Sequence, residues 1–485
     1  MAHQRDTEAP LLAKPDASSP ASVKRNKYPF FCAVLASMTS ILTGYNVAVM
    51  SGAQIFMAED LGVSDAQIEV LSGVINLYSL AGALLAGWTS DRLGRRLTIV
   101  LANVFFLAGP LCMALAGGYN ALMVGRFIAG IAVGYDFVIA PIYAAEISPA
   151  SSRGLLTSVP EIFNNTGVML SYVSNLAFSG LPAHLSWRVM FAAGAVPPVL
   201  LAAGTMTMPE SPRWLAMKGR VDEAKAVLHK TSDTAAEAER RLLEIEDVVN
   251  AGGEGKGNRG GGGAWREAAA KPGVRRVLAM VLTLQFFQQA SGIDSVVLYG
   301  PRILAAAGVT TNASLLSLNV IFGVAKAGSI LIAMALVDRA GRRPLLLVST
   351  GGMAASLVLV GTLFAVASSS AGGGAAVVSA ASVAAVVAYV VFFSMGLGPM
   401  AWVYSSEILP LRLRGQGAGL GTAMNRTMCA VVIMTFISLY KAVTMAGAFY
   451  IYAAIAAAAF VFVYTCLPET RGRSLEDMEE LFHTK

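Results

Sequence analysis

Clusters of polar side chains within apolar stretches are the residues of this sequence best able to bind a ligand. The largest cluster contains Gln285, Gln288 and Gln289, followed by Asp294 and Tyr299. Adjacent amides suit a ligand with many hydroxyl groups, because each amide offers both a hydrogen-bond donor and an acceptor. The alternative is that these side chains join neighbouring helices. We interpret them as ligand contacts.

Three further residues are candidate ligand contacts. Trp402 follows a helix-breaking Gly398-Pro399 pair, and its ring suits stacking on the apolar face of a sugar, although a Trp near a span end also anchors helices at the membrane interface. Asn425 offers another amide. Glu161 is an intramembrane carboxylate. We expect it to contact a ligand or to bind a proton, and the alternative is a structural pairing with an arginine.

A second set of residues has the chemistry of proton coupling. Arg126 lies within an apolar stretch, and a buried guanidinium needs a partner. The first apolar stretch offers only Asn46, an amide, which does not take up a proton near neutral pH. Asp136 follows Arg126 by ten residues, about 280° around a helix, so we do not place the two on one face. Asp136, Glu161 and Asp294 are the candidate replacement carboxylates.

Composition indicates the class of protein that positions these residues. Of 485 residues, 55% are hydrophobic and 14% are charged, whereas soluble domains have about 25% charged residues. A soluble enzyme, a nucleic-acid binder and a disordered chain are therefore poor matches. No nucleophile–base pair, metal-ligand cluster or phosphate-binding loop is evident, so we predict neither an enzyme nor a resident cofactor or metal.

Twelve continuous apolar runs predict twelve transmembrane helices rather than alternating barrel strands. They lie near 30–51, 66–88, 97–116, 119–142, 158–180, 187–208, 276–300, 313–336, 344–367, 377–405, 415–438 and 445–467. Of the 36 Lys and Arg residues, 30 fall in the termini and alternate loops of one side. The positive-inside rule therefore predicts that both termini are cytosolic.

The predicted organisation has five parts. Two six-helix bundles are separated by a cytosolic segment with short amphipathic helices and a Gly-rich linker, and they are flanked by two cytosolic tails. The boundaries are 1–29 for the first tail, 30–208 and 276–467 for the bundles, 209–275 for the segment between them and 468–485 for the last tail.

Internal repeats indicate that the two bundles are homologous halves, as in carriers that bind substrate between the halves. Asp91-Arg92-Leu93-Gly94-Arg95-Arg96 recurs as Asp338-Arg339-Ala340-Gly341-Arg342-Arg343. Two further motifs recur in the second half. One is a Glu followed by an Arg-Gly pair, and the other is a Pro-Glu pair. We predict that carboxylates and arginines of these loops pair between the bundles and hold an inner gate shut when the protein faces outward, and that these pairs break when it opens inward. The alternative is plain anchoring at the membrane. The candidates are Asp91, Arg92, Arg95, Glu146, Arg153, Asp338, Arg339, Arg342, Glu407 and Arg414.

Together these motifs resemble the sugar porter family of the major facilitator superfamily over about residues 30–480. Within the family, the stretches Val159-Pro160-Glu161 and Leu298-Tyr299 look most like plant polyol/monosaccharide transporters. The motifs that carry the resemblance are Gly44-Tyr45-Asn46, Asp91–Arg96, Gly125-Arg126, Gln288–Asp294, Asp338–Arg343, Gly398-Pro399 with Trp402, and Pro468–Gly472.

The resemblance implies the all-α major facilitator fold, with polyol or monosaccharide bound by Gln288, Gln289, Asp294, Trp402 and Asn425. It also implies that Glu161 lies where many members carry a sugar-binding Gln. In proton-coupled members the arginine matching Arg126 pairs with a proton-carrying Asp, whose place Asn46 occupies here.

We therefore expect a carrier of polyols or monosaccharides that works by alternating access and takes a proton as coupling ion. Asn46 motivates the alternative of a facilitative carrier without coupling. A more remote alternative is a sensor that binds sugar without transporting it. We expect the protein to act as a monomer in the lipid bilayer of the plasma membrane, with no nucleic-acid partner.

Overall fold

The computed structural model describes residues 26–149, 153–254, 272–369, 375–409 and 414–469. These residues form helices joined by short loops, and none of them lies in a strand. In a bilayer this is expected, because a helix satisfies its backbone hydrogen bonds internally.

The first half contains six spans, and spans 1 and 6 are each interrupted. Met38 and Val49 divide span 1, and Val196 precedes the Pro197-Pro198 pair that divides span 6. The helices are Lys27–Ser37, Thr39–Ala48 and Met50–Leu61 in span 1, Asp65–Leu93 in span 2, Arg95–Ala114 in span 3, Tyr119–Ile147 in span 4, Arg153–Phe178 in span 5, and Ala183–Ala195 with Pro197–Thr205 in span 6.

The second half also contains six spans, with breaks in spans 7 and 10. Spans 11 and 12 form one continuous helix assignment that is interrupted at Thr444, where φ is 70°. The helices are Pro272–Ala290 and Ile293–Ala306 in span 7, Asn312–Ala340 in span 8, Arg342–Ser369 in span 9, Ala375–Met395 and Leu397–Ile408 in span 10, and Arg414–Cys466 in spans 11 and 12.

The predicted helical membrane architecture is confirmed. Nine helical stretches among the described residues are long and apolar enough to cross a membrane, and one of them, Gly417–Cys466, holds both spans 11 and 12. Span 5 and the broken span 7 complete twelve spans. Within the described part of the segment between the halves, short helices lie at Pro212–Met217, Val221–Thr231 and Ala235–Glu254.

The repeated loops between spans 2 and 3 and between spans 8 and 9 have the same structure. We call the side of the molecule that carries them the basic face. Glu210 accepts hydrogen bonds from the backbone N–H groups of Arg95 and Arg96, at 2.8 and 3.2 Å. Glu469 accepts the equivalent bonds from Arg342 and Arg343, both at 3.0 Å. Each carboxylate therefore caps the start of a helix, where the helix dipole favours a negative charge.

Glycine is required in these loops for two reasons. Gly94 has φ 92° and ψ 170°, a region that residues with side chains rarely adopt. A Cβ added there would lie 2.3 Å from Oε2 of Glu210. Gly341 repeats this arrangement, with φ 91° and Oε2 of Glu469 at 2.9 Å from the added Cβ.

The short helices between the halves pack on the first half at the basic face. Trp214 donates from Nε1 to the backbone oxygen of Asp91 at 3.1 Å. Arg241 donates from Nη2 to the backbone oxygen of Glu146, also at 3.1 Å. These contacts attach the helices to the loop of the first half.

We predict that Gly94→Ala destabilises the protein more than Gly62→Ala does. Gly62 has φ 61° and ψ 29° and nothing within 4 Å of an added Cβ, so Ala there costs only about 1 kcal/mol of backbone strain. The added methyl group at position 94 would also displace Glu210 from the helix start. Thermal unfolding midpoints in detergent test this, and equal losses in the two variants would contradict it.

Candidate functional site

An amide network lies where spans 7, 10 and 11 meet. Asn425 of span 11 is its centre. Its Nδ2 donates to Oε1 of Gln285 at 2.9 Å and to Oε1 of Gln288. Its Oδ1 accepts from Nε2 of Gln289 at 3.3 Å and from Arg426. The structure therefore brings together four of the predicted ligand residues, all of them buried.

Broken helices give this network its partners. Span 10 breaks at Gly396, with φ −140° and ψ −81°. Gln288 donates from Nε2 to the backbone oxygen of Gly398 at 2.6 Å, and Gln285 contacts the backbone oxygen of Ala401 at 3.4 Å. Trp402 lies in the same short helix and is partly exposed. The network thus fixes span 7 against the broken part of span 10.

One amide oxygen of the network has no partner within the described part of the chain. Oε1 of Gln289 is buried there and accepts no hydrogen bond, although a buried acceptor without a partner costs free energy. This atom is therefore suited to accept a hydrogen bond from a ligand hydroxyl group.

Charged side chains lie beside the amides. Asp294 is partly exposed, and the thiol of Cys429 lies 3.0 Å from its Oδ2. Arg426 donates to Oδ1 of Asn425 and lies 4.8 Å from the ring centre of Phe137 in span 4. The Cys429 thiol also lies within electrostatic range of Arg426 and Lys326. The site therefore combines one carboxylate with two cations.

Two predicted ligand residues lie apart from the amide network. Tyr299 is fully buried, its hydroxyl donates to the backbone oxygen of Ile433 at 3.0 Å, and its ring stacks on Phe436. Glu161 is exposed in span 5 and accepts a hydrogen bond from Nδ2 of Asn165 at 2.9 Å. In this conformation Tyr299 belongs to a packed layer outside the amide network, and no described contact joins Glu161 to that network.

Arg126 and Asn46 lie together but form no ion pair. Nη1 of Arg126 donates to the backbone oxygen of Asn46 at 3.0 Å. Nε and Nη2 of Arg126 and Oδ1 of Asn46 are buried and have no hydrogen-bond partner among the residues that the structure describes. Asn46 instead donates from Nδ2 to the backbone oxygen of Leu42 at 2.8 Å.

Asp136 is buried in span 4 against the start of the second helix of span 1. Its Oδ1 accepts hydrogen bonds from Thr39 at 2.7 Å and Ser40 at 3.1 Å, and its Oδ2 accepts from Thr43 at 2.7 Å. The carboxylate is therefore surrounded by hydroxyl groups of another helix.

The two halves are held together on the side opposite the basic face. Asp65 of span 2 forms ion pairs with Arg302 of span 7 at 2.8 Å and with Lys441 of span 11 at 2.5 Å. Glu69 accepts from both the backbone N–H and the hydroxyl of Ser438, at 2.8 and 2.6 Å. We call these residues the outer latch. They close the side remote from the basic face.

Ion pairs at the basic face join residues of the same half. Arg95 binds Glu146 through two hydrogen bonds of 2.9 and 3.0 Å, and Arg342 binds Glu407 at 2.8 Å. The exposed Asp91 lies 3.5 Å from Arg95, and Arg92 lies over the ring of Trp88. The side chains of the remaining gate candidates lie outside the described residues: Arg153, Asp338, Arg339 and Arg414.

The predicted pairing between bundles applies to an outward-facing protein and stays a prediction, since the side chains of four candidates are not described. Each described Arg–Glu pair lies within one half, because the loop after one span and the end of another span of that half meet at the basic face. The described polar contacts between the halves lie instead towards the outer latch. The molecule is consequently closed at the outer latch.

The contacts of four residues at the basic face were not predicted from the sequence. Glu210 and Glu469 cap the repeated helices. Tyr143 and Tyr404 donate to the backbone oxygens of Pro209 and Pro468, at 2.9 and 3.0 Å. The signal was present, since each Tyr precedes its gate Glu by three residues in both halves.

Twelve spans in two similar halves, with a polar site between broken helices, define a membrane carrier of the major facilitator type. A family model described as sugar (and other) transporter matches residues 32–482, and the chain belongs to that family. The protein is accordingly a transporter and not an enzyme.

Individual relatives agree with this assignment. Polyol transporter 5 of Arabidopsis thaliana is 52% identical, over 98% of this chain and 90% of the relative. The galactose-proton symporter of Escherichia coli is 32% identical over 93% of each chain. A partially occluded inward-open structure of the E. coli xylose transporter XylE superposes with a TM-score of 0.78 and 26% identity, over 92% of this chain and all of that one.

We predict that Asp65→Asn opens the side of the outer latch. Loss of the carboxylate leaves Arg302 and Lys441 facing each other, and exposed ion pairs contribute up to about 1 kcal/mol each, or about fivefold in population. Spin labels at the exposed positions Gly117 and Asn312, one in each half, should report longer distances.

The matched control is Glu223→Gln, which removes an exposed ion pair with Arg220 at the basic face. It should leave the label distances unchanged. Unaltered distances in Asp65→Asn, or an equal change in both variants, would contradict a latch at Asp65.

Proposed function

We propose that the protein carries polyols or monosaccharides across a membrane together with protons, by alternating access between its two halves. The observation that carries the substrate class is the amide network of Gln285, Gln288, Gln289 and Asn425, with its free acceptor on Gln289. A ligand with several hydroxyl groups fits such a network, because each hydroxyl both donates and accepts. The names of the polyol and xylose transporters among its relatives support the same class.

Trp402 and the charged residues define the remaining walls of the proposed site. Trp402 is partly exposed beside the break in span 10 and offers its ring to the apolar face of a substrate. Asp294 adds an anionic acceptor beside the amides. Glu161, from the other half, adds a further acceptor, so that a bound polyol contacts both halves and responds to their relative movement.

Proton coupling is supported by two kinds of observation. Asp136, Glu161 and Asp294 are carboxylates within or beside the spans. Two of the related proteins are described as a galactose-proton symporter and a proton:xylose symporter. A carboxylate that takes up a proton while the site is open to one side of the membrane, and releases it to the other side, would couple proton movement to substrate movement.

A facilitative carrier is the second candidate. Asn46 favours it, since an amide beside Arg126 offers no group that ionises near neutral pH. In this case substrate would move down its own gradient, and the buried carboxylates would have structural roles alone.

The cellular setting that we propose follows the distribution of charge. The basic face and both termini would be cytosolic, by the positive-inside rule. The outer latch would then face outwards, in the plasma membrane. We propose that a monomer surrounded by lipid is the transporting unit, because the substrate site lies between two halves of one chain.

We predict that Gln289→Leu raises the KM for a transported polyol about five- to tenfold. Loss of one hydrogen bond to substrate costs about 1 kcal/mol, and more where a charge is involved. Uptake of radiolabelled polyols and hexoses into proteoliposomes identifies the substrate and measures this change.

The control is Asn103→Leu in span 3, a buried amide whose Oδ1 also lacks a partner among the described residues but which lies outside the site. Its KM should equal that of the unmodified protein. A Gln289→Leu variant with unchanged KM for every transported substrate would remove Gln289 from the site.

We predict that an imposed pH gradient, acidic outside, drives polyol accumulation above the external concentration, and that a protonophore abolishes it. A facilitative carrier would reach only equal concentrations on both sides. Asn46→Asp should then be compared, since a carboxylate at this position would lie beside the nitrogens of Arg126 that lack a partner in the described chain. Accumulation that appears only in this variant would favour the facilitative candidate.

A further inference from the structure

We propose that the coupling proton is bound by Asp136, in a site formed by three hydroxyl groups of span 1. This inference rests on the proposed proton-coupled function and identifies its proton site. The resemblance to sugar porters led us to expect the carboxylate at position 46, where this chain has Asn. The geometry points instead to span 4, ten residues beyond Arg126.

The site is buried, and its hydrogen-bond donors are three hydroxyl groups. Asp136 is 2% exposed, and its two oxygens accept from Thr39, Ser40 and Thr43. These three hydroxyls lie on neighbouring turns of one helix, Thr39–Ala48, and all are buried. Each of the two carboxylate oxygens therefore has at least one partner, and every one of them is neutral.

Among the described residues, no counter-charge is hydrogen-bonded to Asp136. Arg126 lies ten residues away on the same helix, about 15 Å along its axis, where the attraction between two charges is weak. No other titratable group of the packed helices in the described part of the chain is hydrogen-bonded to it. Among these groups are Cys32 and Tyr45 of span 1, Tyr78 and Asp91 of span 2, Arg95 of span 3, Tyr135, Tyr143 and Glu146 of span 4, and Glu161 of span 5.

A buried carboxylate without a counter-charge carries a large desolvation cost, which binding of a proton removes. This separates Asp136 from the other candidates. Asp294 is partly exposed and contacts the thiol of Cys429. Glu161 is exposed in this conformation.

The hydroxyl groups suit both protonation states. When Asp136 is ionised, all three hydroxyls donate to it. When a proton adds to one carboxylate oxygen, the new O–H donates to a hydroxyl, which turns its own hydrogen elsewhere. Thr39 already has such an alternative acceptor, because its Oγ1 lies 2.7 Å from the backbone oxygen of Ala36. The proton comes from a hydronium ion of the solution, which becomes water, so that one O–H bond breaks and one O–H bond forms.

The position of the site connects it to the interface between the halves. The helix Thr39–Ala48 begins at the break in span 1 and packs closely on span 5, where an added Cβ on Gly44 would lie 1.9 Å from the backbone oxygen of Asn164. Span 5 in turn packs on span 8 of the other half, through Tyr172 and Gly323. A change in the hydrogen bonds of Asp136 would therefore reach the interface between the halves through the packed helices of spans 1 and 5.

The test uses reconstituted full-length protein and two measurements. Substrate exchange at equal concentrations requires no net proton movement, whereas accumulation driven by a pH gradient does. Asp136→Asn should keep exchange within about twofold of the unmodified protein and lose accumulation. Retained accumulation would overturn the proposal, and so would loss of both activities, which indicates a structural role. If the unmodified protein itself fails to accumulate substrate, the proposed coupling fails instead.

A second variant keeps the carboxylate and changes its surroundings. Thr43→Val removes one donor to the ionised form, so the proton should remain bound to higher pH. We expect the pH of half-maximal accumulation to rise by about one unit. The control is Thr350→Val in span 9, a buried threonine that contacts no described carboxylate and should give no shift. An unshifted profile in Thr43→Val, or an equal shift in both variants, would overturn the hydroxyl site.

Discussion

The structure depends on one constraint of the bilayer, which is that a polar group inside it must find its partner within the protein. Broken helices are the places where this constraint is most demanding, because their ends expose backbone groups. In span 10, the N–H of Leu397 at the break donates to the hydroxyl of Ser349 at 2.9 Å, and the amides of Gln285 and Gln288 bind backbone oxygens of Ala401 and Gly398 in the short helix that follows. The two Gln side chains belong to the amide network at which we propose that substrate binds. Within the described chain this network leaves one buried acceptor, on Gln289, without a partner.

The repeated sequence motifs form the same set of contacts in both halves at the basic face. In each half an arginine binds a Glu at the end of a span, and a second Glu caps the helix that follows the loop. A Tyr of each half donates a hydrogen bond to the backbone oxygen of the Pro before that second Glu. These contacts keep each half rigid as a unit. Contacts between halves lie elsewhere, at the outer latch, so the two units can move against each other without breaking their internal ion pairs.

Sequence patterns predicted the twelve spans, the two halves and the helices between them, because apolar runs of spanning length and repeated loop motifs are local properties. They also singled out the four amides that the structure brings into one network, whose role as ligand contacts stays a prediction. They did not predict the partners of Asp136, since Thr39, Ser40 and Thr43 lie more than ninety residues away along the chain. The predicted ion pairs between the bundles stay a prediction, because they belong to an outward-facing protein and the side chains of four of their candidates lie outside the described residues.

The sequence by itself determined the membrane class, the spans, the family resemblance and the replacement of an expected Asp by Asn46. Tertiary structure alone decided what that replacement means. It left Arg126 bound to a backbone oxygen, without a counter-charge among its described hydrogen bonds, and it placed Asp136 among three hydroxyls of span 1. The physical reason is that the state of a buried charge depends on its neighbours in space, and these come from helices that are distant in the chain.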